Sequence, residues 1–151
     1  MGIERGQGNL LTADVDALVN AVNTVGVMGK GLALHFKRAF PDNFREYQAA
    51  CKQGQVVIGR MHVTQRTTSP RFIINFPTKQ HWRHPSKLDY IRDGLVDLAV
   101  QIRTLGIQSI AVPSLGCGLG GLAWDEVKPL IHAAFDELPH VRVVLFEPGG
   151  Q

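Results

Sequence analysis

Two glycine-rich stretches offer the most chemistry in this 151-residue chain. They are Gly26-Val27-Met28-Gly29-Lys30-Gly31 and Gly116-Cys117-Gly118-Leu119-Gly120-Gly121, and they hold seven of the 16 glycines. Glycine lets backbone amides turn toward one point and lets an oxyanion approach with no Cβ in the way. A helix N-terminus behind such a loop adds the positive end of its dipole. Either loop alone reads as a turn; the pair, at equivalent places in the chain, reads as a diphosphate clamp. Phosphate transfer is not implied, because Leu32 and Ala33 follow Gly31 where a phosphotransfer loop carries Lys and Ser or Thr. No Gly-x-Gly-x-x-Gly opens the first helix with an acid ~20 residues on, which disfavours a dinucleotide dehydrogenase.

A second group is His81-Trp82-Arg83-His84, just beyond Lys79. Residues 47–88 contain no Asp or Glu but carry seven Lys and Arg, a segment of +7. Elsewhere nine basic face thirteen acidic side chains, a net of −4 within a total of +3. Such asymmetry suits either a face for a polyanion or a solvated basic surface. An aromatic among bases is what single-stranded nucleic acid uses for stacking and phosphate contact, and Trp82 has the alternative of anchoring its loop in the core. The spacing of His81 and His84 lacks a third ligand for a metal, and Cys51 and Cys117 lack the paired spacing of a zinc site. They read as free thiols; no metal or cofactor is expected.

These groups must be held by alternating strands and helices. Residues 16–22 read as a buried strand and 31–40 as an amphipathic helix. Pro41 starts a second helix with Phe44, Tyr47 and Cys51 on one face. Residues 61–66 and 71–76 read as adjacent strands, the second ended by Pro77, which puts Lys79 on a loop at a strand's carboxyl end. Leu88, Ile91, Leu95, Leu98, Ile102 and Leu105 recur at helical spacing, with Ser86 as expected N-cap and Gly106 as the stop. A strand at 109–113 opens into the second glycine loop; a helix at 124–138 and a strand at 141–146 follow, and residues 148–151 read as a frayed tail. The pattern predicts an α/β fold, three layers with a mixed, largely parallel sheet, whose ligands sit beyond the carboxyl ends of the strands.

The length suits one domain, residues 1–151, able to bury roughly two thirds of its unfolded surface. Hydrophobic residues at 44% and charged residues at 19% are globular values, and no apolar run approaches the ~20 residues of a membrane span. The N-terminus lacks a secretory pattern, so a cytoplasmic location and no membrane partner are expected.

Val19-Asn20-Ala21-Val22-Asn23 with Gly29-Lys30-Gly31, Gly8-Asn9-Leu10-Leu11 upstream and Ser114-Leu115-Gly116-Cys117-Gly118 downstream resembles the macrodomain family over about residues 6–146. Asn23 to Gly31 and Asn75-Phe76-Pro77-Thr78-Lys79-Gln80-His81-Trp82 resemble, more narrowly, the DNA ADP-ribosyl glycohydrolase antitoxins known as DarG. The resemblance implies a cleft for ADP-ribose lined by Asn9, Asn23, Gly29, Lys30, Gly31, Ser114, Gly116, Cys117, Gly118, Leu119, Gly120 and Phe146. Asn9 would lie near adenine, the glycine loops on the diphosphate and Asn23 on the distal ribose. Many macrodomains have Asp at the place of Asn9, which also reads as a turn or N-cap residue; Phe146 is open to adenine stacking or core packing.

The resemblance also makes Lys79 the essential lysine, assisted by Asn23, and His81, Trp82 and Arg83 the DNA contacts. Lys79 would act as a cation at the departing base or as a neutral amine forming a Schiff base, and a nearby diphosphate favours the cation unless burial reverses it. Related hydrolases of glutamate-linked ADP-ribose carry Asp at the place of Gly120, and this chain does not. The implied partners are ADP-ribose, ADP-ribosylated single-stranded DNA and a cognate ADP-ribosyltransferase toxin. A monomer is expected. Release of ADP-ribose from protein side chains and non-catalytic ADP-ribose reading are the alternatives.

Overall fold

The computed structural model describes residues 2–149. Its six strands are β1 (Ile3–Arg5), β2 (Ala17–Val22), β3 (His62–Gln65), β4 (Phe72–Pro77), β5 (Ser109–Val112) and β6 (Arg142–Leu145), in the order β1-β6-β5-β2-β4-β3. All neighbours pair parallel except β3 with β4. The helices are α1 (Gly31–Ala39), α2 (Pro41–Lys52), α3 (Leu88–Leu105) and α4 (Trp124–Asp136). The expected mixed, largely parallel sheet is therefore present, with element ends within about two residues of the sequence reading.

Alternation along the strands divides the core into two layers. Ala17 and Val19 of β2 and Phe72, Ile74 and Phe76 of β4 face α3 and α4, where Ile91, Leu95, Leu98, Ile102, Val127 and Ile131 meet them. Leu18 and Ile73 point to the opposite face and pack with Phe36 and Phe40. Beside them Val22 and Met28 pack with Tyr47 of α2. Gly106 ends α3 in the left-handed conformation as expected, its N–H bonded to the Arg103 and Ile102 carbonyls.

Two readings are corrected. The residue capping α3 is Lys87, in extended conformation and without a side-chain cap bond. Ser86 instead donates its N–H to the Gly120 carbonyl at 2.9 Å. The sequence reading also passed over β1, three residues paired to β6. Of the expected tail, residues 150 and 151 lie outside the described residues.

Because β1, β2, β4, β5 and β6 run parallel, their carboxyl ends share one edge of the sheet. The chain leaves that edge at Gly6, Asn23, Thr78, Pro113 and Phe146, so the two glycine loops and Lys79 are gathered there by topology.

Candidate functional site

The first glycine loop is built around Asn23, which is 5% exposed. Its Oδ1 accepts from the Val25 and Val27 amides at 3.1 and 3.3 Å and from the Tyr47 hydroxyl at 2.8 Å. Its Nδ2 donates to the Val27 carbonyl at 2.8 Å. One amide hydrogen remains to offer a ligand. Gly26, with φ +87°, packs on α2, and Gly29 and Lys30 are exposed ahead of the α1 N-terminus.

The second loop meets the first. A Cβ on Gly31 would stand 3.5 Å from Leu119 Cδ1, and Leu119 itself is 67% exposed. Within this loop the amides of Cys117, Gly120 and Gly121 bond to the carbonyls of Ser114, Cys117 and Gly118. Gly118 to Gly120 form one 3-10 turn, whose first amides, those of Gly118 and Leu119, have no acceptor inside the turn. They are the donors this loop can turn to an oxyanion.

The glycines here divide by role. Gly118 has φ +55° with nothing within 4 Å of a Cβ, so it faces open space, whereas a Cβ on Gly116 would meet Leu122 Cδ1 at 2.6 Å and Ile91 Cδ1 at 3.1 Å. Gly116 is thus a packing glycine. Burial pushes the half-buried Cys117 thiol up, which favours its protonated form.

Lys79 is strapped to the first loop from both sides. Thr78 donates its N–H to the Val22 carbonyl at 2.8 Å, and Thr24 donates its N–H and hydroxyl to the Gln80 carbonyl at 3.2 and 2.7 Å. The lysine therefore stands beside Asn23, where the adjacent strands β2 and β4 end at the paired residues Val22 and Pro77. Its Nζ donates to the Trp82 carbonyl at 3.5 Å, and burial pushes its pKa down. Burial thus acts in the direction opposite to the one a nearby diphosphate would impose.

Trp82 does not anchor its loop in the core. It is 43% exposed, stacked on His81 with ring centroids 5.0 Å apart and covered by the Arg83 guanidinium at 4.5 Å. Among the described residues no three His, Cys, Asp or Glu side chains gather as metal ligands, and no helix is long and apolar enough to cross a membrane.

Of the two residues expected near adenine, Asn9 serves as a cap in the structure. Asn9 Oδ1 accepts from the Leu11 N–H at 3.0 Å and so caps the 3-10 turn Leu10–Thr12, while its side chain remains exposed. The half-buried Phe146 ring lies face-on to Gly6, where a Cβ would be 2.6 to 2.7 Å from three ring atoms. Core packing is therefore part of its role.

Sequence reasoning missed Tyr47's hydroxyl, the Thr24 tie, Gly6 and the contact of Ser86 with Gly120. Tyr47 was read as a buried face residue, and only the fold joins it to Asn23, 24 positions earlier.

Residues 19–131 match the Macro domain family model. This chain belongs to the macrodomain family. The macrodomain is 58% identical over 144 residues to a DNA ADP-ribosyl glycohydrolase of Thermus aquaticus, covering 94% of this chain and 40% of the relative. It is 55% identical over 150 residues to one of Mycobacterium tuberculosis, covering 98% and 43%. The chain thus spans less than half the length of these relatives.

Among solved structures, the macrodomain of Mycobacterium tuberculosis DarG superposes with a TM-score of 0.97 at 54% identity, covering 99% of this chain and 100% of that one. Thermosipho africanus DarTG in complex with ADP-ribose superposes at 0.92 with 35% identity, covering 99% of this chain and 42% of that one. The resemblance to DarG macrodomains holds across the whole chain.

Proposed function

We propose that this macrodomain is a DNA ADP-ribosyl glycohydrolase that removes ADP-ribose from thymine bases of single-stranded DNA, as the antitoxin to a cognate DNA ADP-ribosyltransferase. The observation that carries the reading is the placement of Lys79. Its segment is tied to Val22 and Thr24 on either side of Asn23 and runs directly into the His81-Trp82-Arg83 stack, where Trp82 and Arg83 are exposed.

In this reading the diphosphate takes the free amides of Gly118 and Leu119 and the α1 N-terminus, and Gly29 and Gly31 leave room for its approach. Ser114 and Cys117 line the wall, Lys30 stands at the rim, and Asn9 and Phe146 flank the adenine. The last amide hydrogen of Asn23 holds a hydroxyl of the distal ribose, which leaves the anomeric carbon facing Lys79.

The bond between that carbon and the thymine imide nitrogen breaks with its electron pair leaving on the base. The negative charge spreads over the imide, which takes a proton from solvent. Water adds to the oxocarbenium-like sugar and loses its proton, giving free ADP-ribose and unmodified thymine. Bound diphosphate opposes the effect of burial on Lys79, so the amine acts as a cation that stabilises charge on the departing base. The second loop, residues 114–121, contains no Asp or Glu. A leaving group that departs as a delocalised anion needs no acid there, whereas a poorer one does.

The test compares a thymidine-ADP-ribosylated oligonucleotide with an ADP-ribosylated protein as substrates. Release from the oligonucleotide alone is expected. Release from protein alone would establish the protein-directed alternative, and release from neither, with ADP-ribose still bound, would make the domain a reader.

A further inference from the structure

We propose that Tyr47 is a positioning residue for the ribose end of the ligand, acting through Asn23 on the first glycine loop. The proposal rests on the reading of the cleft as an ADP-ribose site. Tyr47 lies on α2, fully buried, and its hydroxyl stands 2.8 Å from both the backbone oxygen and the side-chain oxygen of Asn23. Burial raises its pKa, so the hydroxyl stays protonated and its one hydrogen serves these two acceptors.

The consequence passes along the loop. Asn23 Oδ1 faces three donors and Nδ2 faces one acceptor, so its amide has one orientation. Fixing that amide fixes the Val25 and Val27 amides and the Val27 carbonyl, hence the path into Gly29 and the α1 N-terminus. It also fixes the direction of the single amide hydrogen left for the ligand. The α2 surface completes the floor, because a Cβ on Gly26 would meet Cys51 Cβ at 3.5 Å and Gln48 Cγ at 3.6 Å.

A core tyrosine needs no such arrangement. The ring alone satisfies packing against Val22, Met28 and Val56, and the hydroxyl adds a desolvation cost unless it is hydrogen-bonded. Here both acceptors at 2.8 Å belong to Asn23, the residue at the centre of the loop, and the Gly26 amide of the same loop faces the hydroxyl as well.

Tyr47→Phe keeps the ring and removes the donor. The expected result is a folded protein with ADP-ribose affinity weakened about threefold to tenfold, the range of one hydrogen bond. KM for the oligonucleotide should rise by a similar factor and the turnover constant should fall with it, and amide exchange at Val25 and Val27 should quicken. Paired with Asn23→Ala, the two losses should be non-additive, because both act through one contact.

A lower melting temperature with unchanged affinity, turnover and exchange would overturn the proposal and leave Tyr47 a core residue. In the wild type, ADP-ribose should shift the Asn23 side-chain amide and Tyr47 ring resonances; their indifference to saturating ligand would overturn it as well. The affinity and resonance measurements use free ADP-ribose, so they stand even if the DNA substrate proves wrong.

Discussion

Ser86 Oγ lies 2.5 Å from the point where a Cβ on Gly120 would stand, and the Ser86 N–H donates to the Gly120 carbonyl. Ser86 is 5% exposed and its hydroxyl has no partner among the described residues. The position where related hydrolases carry an acid is therefore closed by a serine as well as occupied by a glycine. The loop holding Trp82 and the second glycine loop are locked together at this point.

Gly120→Asp should accordingly destabilise the fold by about 1–3 kcal/mol, the usual cost of overpacking. Ser86→Gly in the same chain should recover most of the loss by vacating the space. Urea unfolding of the two variants checks this, and a stable single variant would mean that Ser86 moves aside freely.

The glycines of the two loops should separate in the same kind of measurement. Gly29 has only Val27 Cγ1 within reach of a Cβ, at 3.6 Å. Gly29→Val should cost under about 0.5 kcal/mol of stability, as an exposed substitution does, yet weaken ADP-ribose binding at least about tenfold by entering the phosphate path. Gly116→Val should cost more than about 2 kcal/mol, because it adds a strained φ to a core clash. Calorimetric titration beside thermal unfolding reads both quantities.

Acid should weaken the fold through His62. Asn75 Nδ2 donates to His62 Nδ1 at 3.0 Å, and burial pushes the histidine pKa below its ordinary 6.5. Between the lowered folded value and 6.5 the unfolded chain binds the extra proton, so stability is whole above 6.5 and falls as pH drops through the folded value. His62→Gln should flatten that part of the stability profile, measured by denaturant unfolding across pH 4 to 8.

Trp82→Ala and Arg83→Ala should weaken binding of a single-stranded oligonucleotide several-fold, since stacking on one base is worth about 1–3 kcal/mol. Affinity for free ADP-ribose should be unchanged, and stability nearly so, because both side chains are exposed. Fluorescence anisotropy with a labelled oligonucleotide distinguishes this from a loop that only closes the cleft.

Much of the frame was legible because it rests on local periodicity. The apolar series from Leu88 to Leu105 on α3 and the run at β2 declare burial without knowledge of their neighbours. β1 was not legible, since Ile3 to Arg5 is too short to alternate and holds its place by backbone pairing with β6. Site positions followed from strand order, but site roles depended on long-range contacts. Ser86 has the residue type and placement of a cap, yet its amide serves Gly120, 34 residues on. Whether Trp82 faced solvent or core was equally undecidable from its basic neighbours.

The central claim is tested most directly by Lys79→Ala acting on a thymidine-ADP-ribosylated oligonucleotide in a single turnover, with ADP-ribose affinity measured on the same sample. The wild type should release free ADP-ribose and restore unmodified thymine. The variant should release none while keeping its affinity within about threefold, because the lysine contributes to the transition state more than to the bound ground state. Lys79→Arg should retain part of the activity if the amine works as a cation, and borohydride should trap no sugar adduct on the wild type. Full activity in Lys79→Ala would contradict the account.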